Sequence, residues 1–409
     1  MSDSLHVVVV PSPFASLASL YEVDPDADTL LIVPPSSQKF APWDVATPPQ
    51  HSRVSAVHST AAAPPASRPG LRIKVSSKHL ALSSKIFRNK LQYGASKAAR
   101  QPDGRLHLQL AEGFDPKAVS IVLNTVHGRG SKVPKSIDLE TLAQIALFVD
   151  RFQLFDAVEV YGDRWISKLE GNLPDAYNRD LILWIYISHV FRNAEVFKAV
   201  SRTAVAGSDG PIKTLGLPIR ERIIRNIDEQ RQALVSEAIA VLHTTLDKLT
   251  SGTAACTKYH CDSFLLGELI KTLHTSRLVW PRPEKPFDGI SFYSVVRAVS
   301  GTFQSKGRGL AVSGDLWSYP GVTNGVNGIS KDKYHHSAGG NGRSSRVLNG
   351  GKGGPITPEA SPEPVSRGGY FDTHACDARR LVWGLDDLDA LEDKVDGLEL
   401  EGGLGYRNF

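Results

Sequence analysis

Cys256, His260, Cys261 and His274 are the only metal-like cluster in the sequence. Zinc takes thiolate and imidazole ligands that converge tetrahedrally, and a cysteine pair followed by a histidine carries such donors. The spacing is loose, because His260 abuts Cys261 and His274 alone follows. Two cysteines acting as small apolar residues that close a loop before a helix explain the pattern more simply. Cys256, Cys261 and His274 therefore stand as weak zinc candidates, and no cofactor is expected. Gly350-Gly-Lys-Gly-Gly354 is no phosphate cradle, since no strand precedes it and Pro355 blocks a following helix. Neither a Gly-x-Ser-x-Gly element nor a His-Glu-x-x-His element occurs. The reading is of a protein that is not an enzyme.

His79, His107 and His127 are expected in structural roles, His79 at an apolar, partly buried helix position. Arg129, Arg151, Arg164 and Arg179 read as solvated or paired surface charges, because no aromatic residues interleave them. Thr357-Pro358 and Ser361-Pro362 are candidate sites for proline-directed phosphorylation.

Composition bounds what these residues can belong to. The net charge of +4, from 47 basic and 43 acidic side chains, is too mild for dedicated nucleic-acid or membrane-surface binding. Three cysteines in 409 residues suit a reducing compartment rather than a disulfide scaffold. His6–Val10 is too short and wrongly flanked for a signal peptide, and Leu181–Phe191 is too short to span a membrane. A soluble intracellular protein of cytoplasm or nucleus is expected. Glycine and proline concentrate at the ends: 11 of 25 prolines precede residue 71, and 21 of 35 glycines follow residue 300.

The elements that must position any site follow from periodicity. Asp28–Val33 reads as a strand, then residues 34–69, rich in Pro, Ser and Ala, as a disordered insertion. Leu71–Val75 alternates as a second strand. Ser76-Ser77-Lys78 can cap a helix through Leu80, Phe87 and Leu91. A strand at 105–110 follows, then a helix opened by Asp115-Pro116 and helices at 138–150 and 155–170. The remainder to about 305 is helical: 178–206, a long amphipathic helix from Pro218 to about Leu249, 261–277 and 288–304. Residues 306–380 read as a disordered Gly/Ser-rich linker. Beyond it, Leu381, Leu385, Leu388, Leu391, Val395 and Leu398 keep three-four spacing among eight acidic residues between Asp386 and Glu401. That is an acidic amphipathic helix over 381–401, suited to docking on a partner or back onto this chain.

The order strand, strand, helix, strand, helix, helix, helix resembles a BTB/POZ domain. Asp28-Thr29-Leu30 is similar to the family's aspartate-led first strand, and Leu80–Phe87 to its Leu-Ala-x-x-Ser-x-x-Phe helix. Phe114-Asp115 through His127-Gly128 resembles the stretch that usually ends Tyr-x-Gly. Leu142–Val149 and Phe155–Trp165 resemble the closing helix pair. Arg179–Trp184, Gly210–Pro218 and Cys261–Gly267 look like the helical half of a set of filamentous-fungal BTB proteins of undefined function.

The resemblance implies an α+β fold: a BTB/POZ-like module over 20–170 with the insertion 34–69, then an all-α domain over 171–305. It also implies an adaptor that binds proteins, including a second copy of itself, without membrane or direct nucleic-acid contact. Interaction candidates are Asp28, Ser76, Leu80, Phe87, Leu91, Leu385, Leu388 and Leu391, with Phe14–Tyr21 as further surface. Two positions depart from the family. Ser76-Ser77 stand where it usually has His-Arg or His-Lys, so the usual polar pocket against Asp28 is not implied. Residues 92–101 lack the hydrophobic-x-Glu element of cullin-recruiting members, which sets a ubiquitin-ligase substrate adaptor behind a plain interaction protein. A transcriptional or chromatin co-regulator using the acidic tail is the third reading.

Overall fold

Five consecutive apolar or β-branched residues, Thr29–Val33, form a strand buried along its whole length, as the centre of a sheet requires. The computed structural model describes residues 5–7, 19–35, 38–43, 70–95, 100–253, 259–304 and 383–400. Its sheet has five strands: β1 (Leu5–Val7), β2 (Ser19–Glu22), β3 (Thr29–Val33), β4 (Leu71–Val75) and β5 (Leu106–Leu110). Their spatial order is β1-β5-β3-β4-β2. The central strand β3 runs antiparallel to β4, with Leu31 opposite Ile73, and parallel to β5, with Leu31 opposite Leu108. Alternation in β4 and β5 buries Ile73, Val75, Leu108 and Leu110 on one face. β1 and β2 are edge strands upstream of the first expected strand. The sequence reading missed both, because three or four residues carry too little periodicity to register.

Helices follow as α1 (Ser77–Ser83), α2 (Lys85–Ala95), α3 (Pro116–Val126), α4 (Leu139–Phe152), α5 (Phe155–Leu169), α6 (Arg179–Val190) and α7 (Ala194–Gly207). Then come α8 (Glu221–Thr250), α9 (Tyr259–Thr275), α10 (Phe292–Gln304) and α11 (Trp383–Asp393). The fold is mixed α+β. Asp115, Asp138, Asn178 and Asn193 each cap a helix by accepting a backbone N–H, as side chains of this type do. The single helix expected through Leu80 and Leu91 is two, broken at Ser84. There the Ser84 hydroxyl accepts from Phe87 N–H at 3.1 Å and donates to Phe152 C=O at 2.6 Å.

One apolar core runs from the sheet through α10. α4 packs against α6 and α6 against α7, so packing crosses the expected boundary at 170/171. The described residues within 1–306 and 381–409 belong to one compact unit. The linker expected over 306–380 lies outside the described residues.

Part of the expected disordered insertion is ordered. Ala41 is buried, and Arg179 donates to the carbonyls of Ala41 at 2.9 Å and Phe40 at 3.1 Å. Trp43 meets the Tyr177 ring edge-on, and Lys213 lies over Trp43. Composition misread residues 38–43 because two aromatics and one distant arginine hold them. Arg179 is accordingly a tether, also paired with Glu140 at 2.8 Å, and not only a surface charge. Residues 44–69 lie outside the described residues. Among the described residues no helix is long and apolar enough to cross a membrane.

Candidate functional site

Asp28 precedes the central strand and faces the first turn of α1. One carboxylate oxygen accepts from the Ser77 N–H at 2.7 Å, and the other from the Ser77 hydroxyl at 2.5 Å. Thr29 Oγ1 donates to the first oxygen at 3.2 Å. Partial burial opposes the charge on Asp28, but these hydrogen bonds outweigh it and hold the carboxyl below the usual aspartate range. A carboxylate from the residue just before β3 thus caps α1. The expected cap from Ser76 is corrected: it holds the N-cap position with extended backbone, yet its hydroxyl makes no cap bond.

The Ser76 N–H donates instead to His127 Nε2 at 3.0 Å. Because Nε2 accepts, the proton is on Nδ1, which donates to Leu123 C=O at 2.8 Å. His79 is exposed rather than partly buried, since Leu80 takes the inward position of α1. Its ring stacks on His127 with centroids 4.8 Å apart and an interplanar angle of 29°. Burial pushes the His127 pKa down, and the neighbouring His79 adds to that.

Two kinds of chemistry can be tested on this cluster. Ligand atoms of Asp24, His79 and His127 lie within 4.8 Å of one another, a donor set that zinc accepts. His127, however, spends its one lone pair on the Ser76 N–H, which leaves none for an ion. Asp24 accepts from the Asp26 N–H at 3.0 Å. The second chemistry is nucleophilic. A serine is activated when a histidine accepts its hydroxyl proton and a carboxylate orients that histidine. Here the Ser77 hydroxyl goes to Asp28, and the histidine binds a backbone amide. An aspartate with a depressed pKa is a poor base at neutral pH. The cluster spends its polar groups on one another and on backbone, and so locks the start of α1 to the sheet.

The structure brings Asp28 and Ser76 together at this point and separates the other candidates. Leu80, Phe87 and Leu91 are corrected from interaction residues to core: all three are buried, and Phe87 stacks on Phe152 at 4.6 Å. The apolar spacing that marked them is the spacing of an inward face. His274 is exposed at the end of α9, whereas Cys256 and the Cys261 side chain lie outside the described residues. So do residues 14–18 of the candidate surface Phe14–Tyr21 and both Thr-Pro and Ser-Pro sites; Leu20 is exposed on β2.

In the tail, Leu388 and Leu391 are buried and Leu385 half-buried, because α11 packs on α8 and α10 of this chain. The helix expected to run to 401 ends at Asp393. Gly397 then takes φ +74°, and the Leu398 N–H donates at 2.7 Å to the buried Ser201 hydroxyl of α7. A hydrogen bond to α7 replaces the intrahelical one. The partners Ser201, Lys198 and Arg202 escaped sequence reasoning, since single serines and basic residues carry no local pattern, and Ser77 stood out only as part of the Ser76-Ser77-Lys78 cap. His127 stood out only as a histidine before a glycine.

No protein-family model, curated protein or solved structure matches the chain.

Proposed function

We propose that the chain is a non-catalytic interaction protein whose β-sheet half is a BTB/POZ-like module that pairs with a second copy. What supports this most is the element order: β3 and β4 antiparallel, the helical pair α1–α2, β5 parallel to β3, then α3, α4 and α5. That is the order for which the sequence resembles the family, with α1–α2 in place of one helix. Among the described residues three large apolar side chains of this half are exposed: Leu20, 53% on edge strand β2, Leu82, 80% on α1, and Val160, 79% on α5. An edge strand with an exposed leucine invites pairing with another chain, and a symmetric pair repeats one patch on both copies.

Sedimentation of the full chain at micromolar concentration tests the reading. A dimer that Leu20→Asp and Leu82→Asp convert to monomer is the expected result, and a monomeric parent chain sinks it. The ubiquitin-ligase and co-regulator readings have no observation that favours them over this one. The co-regulator reading needs a free apolar face on the acidic tail, and here that face is covered.

A further inference from the structure

The C-terminal segment sits in its groove as a bound peptide does. Leu388, Leu391, Val395 and Leu398 bury their side chains, the first two from α11 and the others from the non-helical residues beyond it. Basic groups on α7 meet its polar atoms: Lys198 Nζ pairs with Glu399 at 2.7 Å, and Arg202 Nη2 donates to Glu392 C=O at 3.1 Å. Gly397 lies against the α7 backbone so closely that a Cβ there would stand 2.1 Å from Lys198 C=O. Apolar anchors at fixed spacing, charge complementarity and a main-chain bond to Ser201 are the features of helix-in-groove recognition.

The fit is also imperfect in one respect that bears on exchange. Asp389 Oδ1 is buried without a hydrogen-bond partner. Burial raises the pKa of Asp389, and Asp386 and Asp393 add to it; burial raises that of Glu392 as well. An unpaired buried carboxylate oxygen opposes docking, so the contact holds partly because segment 305–382 tethers its occupant to the groove.

We propose that the groove formed by α7, α8 and α10 is a recognition site for an acidic amphipathic helix of a partner protein, and that residues 383–400 occupy it as a competing internal ligand. The partner presents apolar residues spaced as Leu388, Leu391, Val395 and Leu398 are, with carboxylates directed at Lys198 and Arg202. Binding then requires displacement of the tail, and whatever releases the tail opens the site. The inference is independent of self-association through the β-sheet half.

The test uses the full chain and a fluorescent peptide of residues 383–400 as the probe. The double variant Leu388→Asp, Leu391→Asp releases the tail and leaves the groove unaltered; Gly397→Val does so by a different route. Both released variants should bind the probe, and the parent chain about 100-fold more weakly, because a tethered competitor acts at about millimolar effective concentration. Adding Lys198→Glu and Arg202→Glu to a released variant should weaken probe binding about tenfold, the value of a charge pair at such a surface.

Equal binding to parent and released chains would overturn the proposal, as would no binding to either released variant when its thermal transition is retained. Sedimentation supplies the last arm. A parent dimer that Leu388→Asp, Leu391→Asp makes monomeric means that the occupant is a second copy's tail, and the internal-ligand proposal falls. A dimer that survives this change but not Leu20→Asp and Leu82→Asp leaves it standing.

Discussion

Helices α1 and α11 are both short, and both are held by residues far away in sequence, but by opposite means. α1 is fastened at its first turn by Asp28 and His127, through hydrogen bonds that leave their polar groups engaged. α11 is fastened along one face by buried leucines and carries a buried carboxylate oxygen with no partner. A satisfied polar lock has nothing left to offer a ligand, whereas an apolar face held in a groove is an interaction that another helix can repeat. On the proposal above, the exchangeable contact lies in the helical half and the permanent one at the sheet.

Arg231 bears on the groove side of this comparison most heavily. It is fully buried on α8, paired with Asp228 at 2.8 Å, and it donates to the carbonyls of Pro286, Phe287 and Ile290 that lead into α10. Arg231→Ala removes the donor that those carbonyls and Asp228 share and leaves a cavity, although Phe287 C=O keeps the Ile290 N–H at 3.1 Å and Asp228 keeps Gln232 Nε2 at 2.7 Å. It should cost about 4 kcal/mol in urea unfolding, and the released tail variants should lose probe binding with it. A cost under about 1 kcal/mol would show that the groove does not depend on this anchor.

Next in size is an acid effect in the helical half. Burial, with Arg220 nearby, pushes the His189 pKa from 6.5 down to about 4. Between those values the unfolded chain binds the proton and the folded one does not, so stability falls as pH falls. The loss approaches about 3 kcal/mol. Unfolding measured across that window should show the slope, and His189→Phe should flatten it. Tail docking has the reverse sign, because the raised pKa values of Asp389 and Glu392 make it tighten as pH drops into the carboxylate range.

Gly397→Ala should cost roughly 2 kcal/mol of docking, since alanine disfavours φ +74° and its Cβ meets Lys198 C=O. Proteolysis that becomes faster within residues 383–400 and unchanged elsewhere is the readout. The smallest effect belongs to the lock. Asp28→Ala removes the cap of α1 and should lower stability by about 1.5 kcal/mol in a thermal melt. Were its effect to exceed that of Arg231→Ala, the ranking of the two regions would be reversed.

Much of this architecture was legible beforehand, and the exceptions share a cause. Thr29–Val33, Leu71–Val75 and the helices α3 to α5 and α8 follow from apolar periodicity and from caps such as Asp115-Pro116, whereas 178–206, read as one apolar segment, is the two helices α6 and α7. Ser84 divides a helix that periodicity carries through, because its partner Phe152 is far along the chain. Residues 38–43 are ordered despite their composition, because Arg179 reaches them from α6. The same holds for the lock, where nothing near Ser76 in sequence announces His127.

Local spacing therefore determined which residues of this protein turn inward and where most strands and helices lie, since 2.0- and 3.6-residue periods are properties of the chain itself. It also determined that the tail has an apolar face, though not what covers it. The tertiary structure alone decided that Asp28 caps a helix, that His127 spends its lone pair on a backbone amide, and that Leu388 and Leu391 dock at home. Each of these is a pairing between distant segments. Hydrogen bonds and packing select such partners by position in space, for which a linear pattern carries no code.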